Sequence, residues 1–153
     1  MKQFAELCID LERTSHESVQ QHLFGRYTSA VPSSDAETAM ALLAGSLSVR
    51  VMRPRDLADL LINYTNTTRW LFEQCRGLGG TLVDTAVLLL PKTTSQCQLQ
   101  LGELIDWLSS LRGVSKESQS AAIIELLNMC SVQERTTLAR LLAETLAGER
   151  RLP

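Results

Sequence analysis

Apolar residues spaced three and four apart, in short runs cut off by capping side chains, glycine or proline, recur along the whole of this chain. Such spacing lines up one face of a helix and scatters across both faces of a strand, so it restricts the fold to packed helices. Phe4, Leu7, Cys8 and Leu11 begin the series, and Val19, Leu23 and Tyr27 follow the Thr14-Ser15 break, which predicts two antiparallel helices. Pro32-Ser33-Ser34 reads as a loop. Ser34 with Glu37 has the spacing of a capping box for a helix through Met40 and Leu43, closed by Gly45.

From Ser46 to Arg53 the residues Leu47, Val49 and Val51 alternate, the pattern of a short strand or an extended connection, and the connection is the preferred reading. Pro54 suits the first turn of a helix carrying Leu57, Leu60, Leu61 and Tyr64. Polar residues 66–68 cap the next helix, which holds Trp70 and Phe72. Beyond Gly79-Gly80, Val83, Val87 and Leu90 define a helix that Pro91 stops, and a polar loop follows. Leu101, Leu104, Ile105 and Leu108 predict a helix ending at Gly113, and Ser115 caps one carrying Ile123, Leu126, Leu127 and Cys130. Ser131 with Glu134 is a capping box for a last helix on Leu138, Leu141, Leu142 and Leu146. The expected fold is all-α, a compact bundle of about nine helices forming one domain over residues 1–153. At 44% hydrophobic but only 5% aromatic, the core must be built mainly of Leu, Val, Ile and Ala.

No stretch approaches the roughly 20 apolar residues of a membrane span, and MKQFAELCIDLER lacks the apolar region of a signal peptide. A cytoplasmic protein with no membrane partner is the expectation. Cys8, Cys75, Cys97 and Cys130 are far apart in sequence, and His16 and His22 are the only imidazoles. Neither a zinc site nor a disulfide scaffold is expected, and the thiols read as free. The two histidines sit in a polar helix with no motif around them and read as surface residues.

Residues 70–91, WLFEQCRGLGGTLVDTAVLLLP, hold the strongest local signal. Paired glycines give the backbone positive φ and close approach to another molecule, and Thr81 stands at an N-cap position with Asp84 three residues on. A helix start of this kind can receive an anion such as a backbone phosphate, or it can be a plain corner between two helices.

This block resembles the signature of the N-terminal helical DNA-binding domain of ATP-dependent DNA ligases, where Trp-Leu-Phe-Glu precedes Gly-Asp-Leu-Ala-Glu-Thr and an apolar run ending in Pro. Trp70, Leu71, Phe72 and Glu73 match, as do Gly80, Leu82, Thr85, Leu88, Leu89, Leu90 and Pro91. Thr81 replaces the family's Asp and Asp84 its Glu, both still capping residues. Similarity extends through Phe4 and Leu7, Pro32, Asp35-Ala36, the run Ala41 to Gly45, Pro54, Asp106-Trp107-Leu108, Glu134-Arg135 and Leu141-Leu142. Two segments depart: Ser46 to Val49 stand where the family is basic, and ETLAGERRLP where it has a Gly-Phe-Arg-Val-Gly-Val-Ser-type run.

The resemblance implies sequence-independent binding of duplex or nicked DNA in repair, recombination or replication. A ligase catalytic domain, in cis or in trans, would be the partner, and ATP and Mg2+ would belong to it. The chain itself offers no adenylation site. Lys2, Lys92 and Lys116 do not begin a Lys-x-Asp-Gly motif, and Gly77, Gly79 and Gly80 are not followed by the lysine of a phosphate-binding loop. No catalytic, cofactor-binding or metal-binding residue is therefore assigned.

The candidate DNA contacts are Arg76, Gly79, Gly80 and Thr81 at the helix start, with Arg50, Arg53 and Arg55 around Pro54. Arg69, Arg135 and Arg140 complete the basic group. Set against this are a net charge of −2 and the nearby Asp56, Asp59 and Glu73, which suit solvated surface pairs. The alternative is a helical protein-interaction module derived from the same domain that has lost its DNA face.

Overall fold

The computed structural model describes residues 1–144. Nine α-helices follow one another there, with no strand among the described residues: α1 (Lys2–Glu12), α2 (Glu17–Ala30), α3 (Ser33–Ala44), α4 (Pro54–Tyr64), α5 (Arg69–Gly77), α6 (Leu82–Val87), α7 (Leu101–Ser110), α8 (Lys116–Met129) and α9 (Val132–Ala143). A single 3-10 turn, Leu111–Gly113, extends α7. The expected Leu146 of the last helix and the segment from Thr145 onward lie outside the described residues.

Several helix ends form as their sequences dictate. Thr68, Thr81 and Ser115 each accept a hydrogen bond from a first-turn amide, and Pro54 occupies the first position of α4. Ser131 Oγ accepts from the Glu134 amide while Glu134 Oε2 accepts from the Ser131 amide, so that capping box is complete. Gly45 ends α3 at φ 77°, the left-handed geometry that glycine alone takes without cost.

The Ser34–Glu37 capping box does not form. α3 starts two residues earlier than that box requires, with Pro32 as its N-cap, so Ser34 lies within the helix and its carbonyl accepts from the Thr38 hydroxyl. Asp35, in the same turn, is buried and accepts from the Gly102 amide at 3.1 Å, joining α3 to the start of α7. Val19 is also exposed, because α2 buries only Tyr27 fully, with Leu23 and Phe24 packed partly against the core.

A continuous apolar core runs through all of these layers. Phe4, Leu57, Leu61, Phe72, Leu104, Leu108, Ile123, Leu127, Leu138 and Leu142 are almost wholly buried within it. The short α6 packs on α4, α5 and α9. Its Val83, Thr85, Ala86 and Val87 are all buried, and small side chains let neighbouring helices approach closely.

The stretch from Ser46 to Arg53 is an extended connection, as read from its sequence. Val49 plugs into the core, and the amides of Val51 and Met52 both donate to the Leu142 carbonyl, at 2.8 and 3.2 Å. The last turn of α9, whose carbonyls lack helical partners, is thereby satisfied from outside.

Candidate nucleic-acid interface

α4 presents its apolar face to the core and leaves Arg53, Arg55, Asp56 and Asp59 on the other side. Arg53 grips Asp56 through two bonds, Nε to Oδ2 at 2.9 Å and a second guanidinium nitrogen to Oδ1 at 3.2 Å. Arg50, Arg53, Asp56, Asp59 and Lys116 line a groove of about 550 Å³ between the Ser46–Arg53 connection, α4 and the start of α8. Two of the three expected Arg-Pro-Arg neighbourhood cations thus share one site. Arg55 points elsewhere: it is exposed and does not line the groove.

Asp59 carries the charge pattern onward, accepting from Arg69 at the start of α5 at 2.6 Å. Arg69 also feels the charge of Glu73, one turn along, and Glu73 lies 3.8 Å from Arg76. The amide of Gly79 in turn donates to the Arg76 carbonyl. One unbroken strip therefore leads from Arg50 and Lys116 to the glycine bend. Five cations (Arg50, Arg53, Lys116, Arg69 and Arg76) share it with three carboxylates (Asp56, Asp59 and Glu73), a local excess of two positive charges on a chain whose total is −2.

Every ion pair along the strip is solvated. The side chains of Arg53, Arg69 and Arg76 are 77%, 64% and 50% exposed. The hydrogen bond and charge of Arg53 hold Asp56 below its usual carboxylate range, with Lys116 adding a smaller pull. Pairs this wet are worth little and exchange readily with other ions.

The bend itself is exposed, with Gly79 at φ 109° and Gly80 at φ 125°. Beyond it the geometry departs from a free phosphate cradle. α6 is a helix of only six residues, Thr81 Oγ1 already accepts from the Asp84 amide, and the Asp84 carboxylate stands in the same turn. Burial pushes Asp84 up, but hydrogen bonds and charge from Arg140 outweigh it, with Thr81 helping, and keep it below its usual value. An anion at this helix start is thus supplied from within the chain.

Arg140 and Arg135 are structural rather than surface cations. Arg140 binds both oxygens of Asp84 at 3.0 and 2.9 Å and also bonds Glu12, clamping α9 to α6 and α1. Arg135 is 2% exposed and donates to the carbonyls of Leu127 and Pro91. Their partners lie far away in sequence, so only the amphipathic register of α9 hinted at their burial.

Several large apolar side chains are exposed, a feature that helical spacing alone did not reveal. Trp70 is 71% exposed, Leu78 91% and Leu88 72%. His16 and His22 are exposed, and no group of three His, Cys, Asp or Glu residues is disposed to hold a metal among the described residues. No described helix is long and apolar enough to cross a membrane.

What these features define is an all-α domain with a solvated, arginine-rich strip ending at a glycine bend. Compared with known protein families, with curated proteins and with solved structures, the chain matches none of them.

Proposed function

We propose that this chain binds the backbone of duplex DNA without regard to sequence, as the N-terminal module of an ATP-dependent DNA ligase does, holding a nicked duplex for a catalytic domain that is separate from it. The observation that supports this reading is the strip from Arg50 and Lys116 to the Gly79-Gly80 bend. Its ion-paired arginines are half or more exposed, and a row of phosphates offers bidentate acceptors in place of single carboxylates. Exchanging one for the other loses only weak surface pairs. At the far end the glycine bend keeps side chains out of the way, allowing a strand to approach Arg76.

Titration of a fluorescent nicked duplex at low and moderate salt tests the proposal. Affinity should fall steeply as salt rises, because displaced counterions drive phosphate binding. Asp59→Asn, which releases Arg69, should tighten binding. No binding at low salt, or a salt-independent weak signal, rules the DNA reading out.

A second reading, a helical protein-interaction module, is favoured by the exposure of Trp70, Leu71, Leu78 and Leu88. Charges of both signs around exposed apolar residues are the composition of an interaction surface. Under this reading Asp59→Asn leaves duplex binding absent, whereas Trp70→Ala removes binding to a protein partner.

A further inference from the structure

The loop between α6 and α7 returns to the corner between α8 and α9, and one carboxylate holds the two together. Glu134 Oε2 accepts from the Cys97 amide at 2.9 Å and from the Ser131 amide at 2.8 Å. Two amides on one oxygen lie within the sum of those contacts of each other. Ser131 directly follows Cys130, so the shared oxygen holds the chain at Cys97 against the chain at Cys130, 33 positions away in sequence, and the two thiols lie within hydrogen-bonding reach of each other. Arg135 reinforces the arrangement, bonding Pro91 at the start of the loop and Leu127 at the end of α8.

The two thiols differ in access. Cys130 is completely buried, whereas Cys97 is half-buried and lines an open cavity of about 480 Å³ beside Met1, Lys2 and Gln100. Hydrogen bonding from Cys130 draws the Cys97 thiol down to about 6, against the opposing effects of burial and of the Glu134 charge, with the Leu99 backbone and the N-terminal ammonium assisting. That same bond, and then burial, raise Cys130. The more accessible thiol is therefore the more readily ionised of the two while its buried neighbour is held to its proton, the division that separates an attacking sulfur from a resolving one. Glu134 Oε1, buried beside them without a hydrogen-bond partner, adds an acceptor that the fold leaves unused.

We propose that Cys97 and Cys130 form a reversible oxidation site, closed to a disulfide by a peroxide. The Cys97 thiolate attacks a peroxide oxygen, the O–O bond breaks, and a sulfenic acid and hydroxide result. Cys130 sulfur then attacks the Cys97 sulfur, forming the S–S bond and expelling the sulfenic oxygen as water with the Cys130 proton. The hydroxide takes the proton released when Cys97 ionised. Two thiols and hydrogen peroxide thus become one disulfide and two waters, and a dithiol reductant reverses the product.

The experiment treats the folded protein carrying Cys75→Ser with hydrogen peroxide, alkylates remaining thiols and digests it with trypsin without reduction. Cleavage places Cys97 in the peptide Thr93–Arg112 and Cys130 in Glu117–Arg135, apart from Cys8. A linked pair of these two peptides, lost on treatment with dithiothreitol, is the expected result. In Cys130→Ser, and equally in Cys130→Ala should the serine disturb folding, Cys97 should accumulate as a sulfenic acid trapped by dimedone. Over-oxidised Cys97 beside alkylated Cys130 in the Cys75→Ser protein overturns the proposal. So does an equal yield of the linked peptides from protein oxidised in urea, since the fold would then not be what pairs them.

Discussion

Arg140 and Arg53 each hold an aspartate with two nearly ideal hydrogen bonds, one to each carboxylate oxygen. Their surroundings differ. Arg140 and Asp84 are 20% and 23% exposed and join residues 56 positions apart, whereas Arg53 and Asp56 are 77% and 45% exposed and belong to one turn. The first pair ties separate helices together in a partly dry setting, where charge-assisted bonds keep their strength. The second ties a helix start to itself in water, where the same geometry is weak. Position in the fold, rather than bond geometry, separates the cations that hold the molecule together from those available to another molecule.

The sharpest way to test this contrast is Arg135→Ala, which leaves the Leu127 and Pro91 carbonyls without their buried donor. A loss of roughly 3 kcal/mol in urea unfolding is expected from two charge-assisted bonds lost and the Pro91 carbonyl stranded, the Leu127 carbonyl keeping the Cys130 amide. Asp84→Asn comes next, at about 2 kcal/mol, the scale of a hydrogen bond to a partly buried charge. If it costs nothing, the clamp joining α9 to α6 is not holding the helices together. Gly80→Ala forces a side chain to φ 125° and should cost about 1.5 kcal/mol, although Thr85 Oγ1 at 3.5 Å leaves room for the methyl itself.

Acid refines the comparison further. Asp84 has its folded pKa below the ordinary carboxylate value of about 3.9. Its contribution is therefore fully present above that value and is lost as pH falls through the depressed folded value. The stability gap between the wild type and Asp84→Asn should narrow as urea melts are taken to lower pH. At the bottom of the scale, Arg53→Ala should leave the melting temperature unchanged yet reduce the salt dependence of duplex binding by about one phosphate contact. A loss of stability there would place Arg53 among the structural cations.

Local chemistry was legible where it needed only near neighbours. Thr68, Thr81, Ser115 and the Ser131–Glu134 box cap their helices because the bonds involved span only three residues. The same proximity made Pro54 and Gly45 readable. Arg135 and Arg140 could not be separated from the surface arginines, since their partners at Pro91, Asp84 and Glu12 are brought near only by packing. The Ser34 box failed for a related reason: Asp35, one residue along, turned inward to a distant amide as the helix began at Ser33. At the candidate interface, spacing identified the arginines and the bend. It could not show that Asp59 and Arg69 bridge α4 and α5 and so link the two groups into one strip.

The Leu142 carbonyl, shared by the amides of Val51 and Met52, has a mechanical meaning. The short span bearing Arg50 and Arg53 is hung from the final turn of α9, like a lever on its pivot. Any load that stretches or unwinds that turn must shift the groove cations with it, so their spacing is tied to a helix far along the sequence.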